Sequence, residues 1–217
     1  MSAEVHVKPF DVSSRLAQLG VPEIALRTAV GRGQLAVDNC TANHPRMYAP
    51  FAGWAETVRG LRDEMGAERW TNSDDRGYAL CIDPTGKIAI AVATGNEQTG
   101  VATGNPSTKA SKGPSTLEAV LVNARQLGLF EALENAPAPA APAHVEQEKR
   151  ATWILLFHRA GDETRAELSL PVAFGEGDRV TAWRERIILG PIARDPQSLR
   201  IEPPDLPDLD VHVKRRA

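Results

Sequence analysis

The spacing of apolar residues predicts two helices at the start of the chain. A first helix over residues 10–19 is followed by a second over 23–30, which Pro22 opens at its first turn. Gly31 and Gly33 interrupt the apolar pattern, so we expect the second helix to end there.

A third helix is predicted after a loop. Residues 39–50 are rich in Asn, Pro and His, which is typical of a loop. Residues 51–65 then carry apolar side chains spaced four, three and four residues apart, and this spacing places them on one helix face. These apolar residues are Trp54, Val58, Leu61 and Met65.

The apolar period then changes to two, which is typical of strands. Residues 78–82 and 87–94 flank the turn Asp83-Pro84-Thr85-Gly86 and predict a β-hairpin. One face of its second strand carries large apolar residues and the other carries only alanines: Ala89, Ala91 and Ala93. We therefore expect a helix to pack closely against the alanine face.

Two polar segments separate this hairpin from the rest of the chain. Residues 95–114 lack apolar periodicity and predict a long loop. The capping box Ser115-Thr116-Leu117-Glu118 then predicts the start of a helix that runs to about residue 127. Residues 135–150 are rich in Pro and Ala and then charged, which predicts a linker or long loop.

Three strands are predicted after the linker. Residues 153–157 are apolar on both faces, as a central strand would be, and residues 166–172 alternate. Residues 180–189 form the third strand, and the Pro-rich segment 191–217 predicts an irregular tail.

The predicted fold class is α+β. N-terminal helices precede a largely antiparallel sheet that is built from two β regions, with a helix between them. Residues 1–134 form the first part, and residues 151–190 form a three-stranded antiparallel region. We expect this region to join the same sheet, with two smaller sheets as the alternative.

Composition and charge narrow the function. Among the 217 residues, 42% are hydrophobic and 24% are charged, as in ordinary globular proteins. The net charge of −3 argues against broad electrostatic binding to nucleic acid. Two cysteines, no secretory signal and no membrane-length apolar run predict a cytoplasmic protein that does not bind a membrane.

One candidate binding site lies before the predicted helix at residue 115. Lys109, Lys112 and Ser115 stand next to a helix N-terminus, which favours anions, so they could contact phosphate or nucleic acid. The segment is not a P-loop, because Lys112 precedes Gly113 and Pro114 lacks an amide donor. A solvated flexible loop is the simpler interpretation.

A second candidate is a polar sheet face. Arg184 and Arg186 alternate with apolar residues, so we expect both to face outward beside Arg165 and Glu167 of the neighbouring strand. Such a face could bind a protein partner, and cross-strand ion pairs are the simpler interpretation.

Chemistry-bearing motifs are incomplete. The hairpin resembles the scaffold of restriction-endonuclease-like folds, but Val92, Ala93 and Thr94 stand where an acid, a spacer and a lysine are needed, so Asp83 is interpreted as a turn residue. Cys40 and His44 offer only two zinc ligands where three or four are required. We therefore predict no metal, no cofactor and no catalytic residue.

Several further segments of the sequence are similar to segments of other proteins. They are Asn43-His44-Pro45, Trp54-Ala55-Glu56-Thr57-Val58, Ile88-Ala89-Ile90-Ala91-Val92-Ala93-Thr94-Gly95, Ser107-Thr108-Lys109, Lys112-Gly113-Pro114-Ser115-Thr116, Glu167-Leu168-Ser169-Leu170-Pro171 and Trp183-Arg184-Glu185-Arg186-Ile187-Ile188-Leu189. Over residues 20–190 the chain resembles a group of bacterial proteins that is associated with plasmids and other integrated elements. The resemblance implies a bacterial cytoplasmic setting and attaches no activity, ligand or site residue.

The leading hypothesis is a non-enzymatic accessory or interaction protein of the bacterial cytoplasm. One alternative is a nucleic-acid-associated protein that uses the 96–114 loop and the N-terminal helices. Another is an enzyme with an unrecognised carboxylate and histidine site drawn from Asp83, Glu97, His158 and Glu167.

Overall fold

The computed structural model describes residues 3–134 and 150–193, with the backbone alone for residues 127–134. The helices in this part of the chain are α1 (Pro9–Gln18), α2 (Glu23–Asp38), α3 (Tyr48–Ala67) and α4 (Pro114–Glu134). The strands are β1 (Glu4–His6), β2 (Thr71–Ser73), β3 (Leu80–Ile82), β4 (Ile88–Thr94), β5 (Ala151–Ala160), β6 (Glu163–Phe174) and β7 (Val180–Ala193).

All seven of these strands form one sheet, in the order β1-β7-β6-β5-β4-β3-β2. The fold is therefore α+β, and strands from before and after residues 135–149 belong to the same sheet. The linker predicted there lies outside the described residues, as do residues 194–217 of the predicted tail. Strand β7 extends to Ala193, three residues into that tail.

The expectation of a largely antiparallel sheet is only partly right, because the sheet is mixed. Strands β4 and β5 pair in parallel, and so do β1 and β7. Consecutive strands joined by short turns are antiparallel, whereas β4 and β5 are separated by a long connection that includes α4. A parallel pair needs such a crossover. Strands β1 and β2, each of three residues, were too short to give a periodic signal in the sequence.

Helix α2 is longer than its sequence predicts, because its glycines are packing positions rather than stops. It runs through Gly31 and Gly33 to Asp38. A Cβ on Gly33 would overlap Oγ1 of Thr57 and the backbone of Gly53 on α3. The two helices therefore approach more closely than larger side chains would allow, and this contact offsets the low helix propensity of glycine.

Helix α4 also differs from its predicted bounds. It begins at Pro114, a residue whose fixed φ suits the first helical position, and it passes Gly128 to end at Glu134. Ser115 therefore lies inside the first turn rather than at the cap. Backbone amides of Thr116 and Leu117 donate to the carbonyl of Gly113.

Apolar residues cover both faces of the sheet. Helices α1 to α3 pack on one face, where Leu26, Leu61 and Met65 meet Trp153 and Leu155 of the central strand. On the other face, Val120 of α4 shares a smaller cluster with residues of the sheet: Ala93, Ile154, Leu156, Val180 and Trp183. This cluster includes one residue of the alanine face of β4, as expected from the hairpin.

A register shift in β7 decides which side chains reach which core. Strict alternation along β7 would place Trp183, Ile187 and Leu189 on one face, but Trp183 lies in the smaller cluster and the other two lie beneath α1 to α3. The pairing of β6 with β7 is irregular around Leu170 and Pro171. Because of this irregularity, side chains in the first part of β7 point to the face opposite to the one that strict alternation predicts.

Candidate functional site

The long polar segment after β4, residues 95–113, forms backbone hydrogen bonds with neighbouring segments near both of its ends. We call it the anchored loop. Its halves meet at an antiparallel bridge between Gly95 and Thr108. The amide of Thr108 donates to the carbonyl of Val180, and the amide of Lys109 donates to the carbonyl of Thr94, over 3.1 and 2.8 Å. The loop therefore lies against the sheet through β4 and β7.

A buried ion pair lies beneath this loop. Arg186 Nη2 and Nε donate to the two carboxylate oxygens of Glu167 over 2.6 and 3.1 Å, and the two side chains are 2% and 0% exposed. Arg186 also donates to the carbonyls of Gly104 and Val101, and Glu167 accepts the amide of Gly100. Each charge therefore binds the other and the loop backbone, which is how a buried ion pair is kept satisfied.

The expectation that Arg184 and Arg186 face outward together is therefore wrong for Arg186. Arg184 is exposed, and Arg165 is half-buried and donates to the carbonyl of Glu97 over 3.0 Å. Loop residues 97–104 fill the space above β6 and β7, which the strand pattern alone presents as an open face. The three arginines predicted as a partner-binding face are thus divided between solvent and the anchored loop.

Of the residues predicted for anion binding, the two lysines lie at the end of the anchored loop and Ser115 lies in the first turn of α4. Lys109 is exposed, whereas Lys112 is half-buried, and its backbone amide donates to the carbonyl of Asp178. Burial lowers the pKa of the Lys112 ammonium below its usual range. Among the described residues, neither lysine side chain forms a hydrogen bond or ion pair with Ser115.

The four residues considered for an unrecognised active site do not all lie in one place. His158 Nδ1 lies 3.3 Å from the carbonyl oxygen of Gly95, and Glu167 is enclosed by Arg186. Glu97 is exposed on the loop above them. Asp83 precedes β4 and lies at the end of that strand opposite to the other three residues. The seven residues of β4 span about 23 Å.

Asp83 has the role of a turn residue, as predicted. Its carboxylate accepts the amides of Thr85 and Ile88 over 3.0 and 2.7 Å and also the Thr85 hydroxyl. Partial burial acts to raise the pKa of the Asp83 carboxyl, but these hydrogen bonds outweigh it and hold the pKa below its usual range. The carboxylate thus closes the hairpin turn in its ionised form.

The arginines of the N-terminal helices are engaged within the fold. Arg27 donates to the carbonyls of Gly190 and Pro191, and Arg32 donates to the carboxylate of Asp63 on α3 over 2.6 Å. Helix α2 packs against α3 along the glycine contact described above. These two arginines therefore stabilise the helical layer.

An exposed aromatic patch lies at the start of α3, and it consists of His44, Met47, Tyr48 and Phe51. Met47, Tyr48 and Phe51 are 80%, 45% and 61% exposed. The rings of His44 and Tyr48 stack with centroids 4.7 Å apart and an interplanar angle of 11°. Sequence analysis missed this patch because it assigned residues 39–50 to a loop. The signal was present in the spacing of Met47 and Phe51, one helical turn apart.

The aromatic patch rests on a fixed base. Phe51 lies with its ring centroid 5.9 Å from that of Trp54. Trp54 is half-buried, packs against the larger core, and donates from Nε1 to the carbonyl of Val92 on β4 over 3.1 Å. The exposed rings are therefore held on the body of the protein.

No family model, curated protein or solved structure matches the chain. In the described part of the chain, no helix has the length and apolar character that crossing a membrane requires. Within the same residues, no group of three or more His, Cys, Asp or Glu side chains is placed to hold a metal ion.

Proposed function

We propose that the protein is a non-enzymatic accessory protein of the bacterial cytoplasm, and that it binds another protein through the aromatic patch. The observation that carries this proposal is the exposure of Met47, Tyr48 and Phe51 on one short stretch at the start of α3. Contiguous exposed apolar side chains mark interaction sites. The bacterial setting is what the resemblance over residues 20–190 implies.

The composition of the patch fits a protein partner. Tyr, Phe and Met are enriched at protein interfaces, because they bury a large area for few rotatable bonds or adapt to irregular surfaces. The rigid support beneath Phe51 lowers the entropy that binding would cost.

Charge defines the partner surface further. Residues 39–55 contain one cationic side chain, Arg46, and no carboxylate. A complementary surface would therefore be apolar at its centre, with a neutral or acidic rim facing Arg46.

Phe51→Asp tests the proposal, because it places a charge within the patch. Ile24→Asp is the matched control, since Ile24 is 67% exposed on a different helix. Affinity purification from cells of the source organism with quantitative mass spectrometry should give a partner that wild type and Ile24→Asp retain and Phe51→Asp loses. Calorimetry with that purified partner should show at least a roughly tenfold weaker complex for Phe51→Asp. Equal binding by the two variants would refute the assignment of the patch.

The nucleic-acid alternative predicts a different result. It expects an affinity for DNA or RNA that falls with added salt and is lost when Lys109 and Lys112 are both changed to Ala. The accessory-protein proposal expects no such affinity, and it expects the double variant to bind the protein partner as wild type does. Fluorescence anisotropy with single- and double-stranded probes at two salt concentrations separates the two hypotheses.

A further inference from the structure

The first strand, β1, lies at the edge of the sheet. It pairs in parallel with β7, and no other described strand lies on its second side. An edge strand presents unpaired backbone N–H and C=O groups to any other extended chain. The opposite edge, β2, carries the polar sequence Thr71-Asn72-Ser73, whereas the β1 edge continues with the apolar residue Val7, which is 48% exposed.

A groove runs beside this edge, between β1 and α1. It has a volume of about 450 Å³, and Glu4, His6, Phe10 and Arg15 are among the residues that line it. Phe10, on the first turn of α1, is 82% exposed. An exposed valine and an exposed phenylalanine thus flank an open strand edge.

The wall of the groove is fixed by a network of charged groups. Glu185 of β7, whose side chain is 8% exposed, accepts hydrogen bonds from Nε and Nη2 of Arg15. His6 Nε2 lies 3.0 Å from the same carboxylate and 3.5 Å from that of Glu4. These contacts hold β1 and α1 in place before any partner arrives, so the edge is preorganised for pairing.

The sequence of this edge is complementary to itself when reversed. Antiparallel pairing of two copies about His6 places Glu4 of each copy opposite Lys8 of the other, and Val5 opposite Val7. Opposite charges and apolar pairs directly across an antiparallel ladder stabilise it. A shift by one residue would instead place Glu4 opposite Val7 and Val5 opposite His6, so that shift loses both favourable pairs.

We propose that the β1 edge is a self-association site, at which two copies of this chain pair in antiparallel fashion about a two-fold axis at His6. Each copy presents the same surface to the other, as a two-fold interface requires. The pairing continues the sheet of one copy into the sheet of the other.

This site is separate from the aromatic patch and goes beyond the proposed function. Helix α3 carries the patch and is fixed to β4 through Trp54, and three strands lie between β4 and β1 in the sheet. Binding at one site therefore does not occupy the other.

Charge exchange across the two-fold axis tests the proposal. By sedimentation velocity at protein concentrations up to about 100 µM, the wild-type protein should form a dimer. Glu4→Lys and Lys8→Glu each create like-charge pairs, so each should raise the dimer dissociation constant at least roughly tenfold. The double variant Glu4→Lys/Lys8→Glu restores opposite charges in reversed order and should dimerise as wild type does. An equimolar mixture of the two single variants should form a mixed dimer.

Glu68→Lys is the control, because Glu68 is an exposed acidic residue at the end of α3 and far from β1 in the sequence. It should dimerise as wild type does, and circular dichroism should show that every variant keeps its fold. A wild-type protein that stays monomeric throughout this concentration range would overturn the proposal. A double variant that remains as weak as the single variants would overturn the antiparallel register.

Discussion

Replacing Arg186 by Met tests whether the buried ion pair organises the face that carries the anchored loop. Methionine keeps the unbranched apolar stem of arginine and removes its donors. Four hydrogen bonds are lost: two to Glu167, one to the carbonyl of Val101 and one to that of Gly104. Glu167 then remains as a fully buried carboxylate with no cation beside it.

The expected cost is large because the charge that remains cannot reach water. Breaking a buried pair by removing one partner costs about 3–5 kcal/mol, against a total stability of about 5–15 kcal/mol for a domain. The double variant Arg186→Met/Glu167→Met should cost less than the sum of the two single variants, because it leaves no charge unpaired. The cycle therefore separates the ion pair from the packing of the two side chains.

Urea unfolding followed by circular dichroism measures these free energies. Arg184→Met is the matched control, since Arg184 is exposed on the same strand, and it should change the free energy of unfolding by less than about 0.5 kcal/mol. Hydrogen exchange gives a second measurement, because the amide of Gly100 donates to Glu167 and should lose protection in Arg186→Met. If Arg186→Met is no less stable than Arg184→Met, the ion pair does not hold the loop in place.

Two further variants test the helical layer and the hairpin. Gly33→Ala should lower the free energy of unfolding by about 3 kcal/mol, because the added Cβ overlaps Thr57. Gly31→Ala is the control: it has open space around it and should raise the free energy of unfolding by about 0.5–1 kcal/mol. Equal effects of the two variants in thermal unfolding would contradict the close helix contact. Asp83→Asn should stay folded and should lower the free energy of unfolding by about 1 kcal/mol at pH 7. This difference from wild type should shrink below about pH 4, because a carboxyl whose pKa is lowered in the folded state loses its contribution to stability as it becomes protonated. Urea titrations of Asp83→Asn at several pH values check the sign, and a difference that grows in acid would contradict it.

Local patterns in the sequence determined most of the regular structure. The alternation around Asp83-Pro84-Thr85-Gly86 gave the β3–β4 hairpin, since a carboxylate that accepts nearby amides closes a turn without help from the rest of the chain. The apolar run at residues 153–157 marked the central strand β5 because a strand covered on both faces has no polar side. The helical period likewise placed Val58, Leu61 and Met65 in the core.

Contacts between distant segments decided the rest. Gly33 stays helical because α3 approaches it closely, and local helix propensity carries no information about that contact. Arg186 has the alternating pattern of a solvent-facing strand residue, yet it is buried because a loop about 80 residues earlier in the chain folds over it. Met47 and Phe51 show the reverse case, since their apolar character predicts burial and only the packed fold leaves them exposed. Sequence fixes which residues can form an element, whereas burial and partners depend on which segments the complete fold places above them.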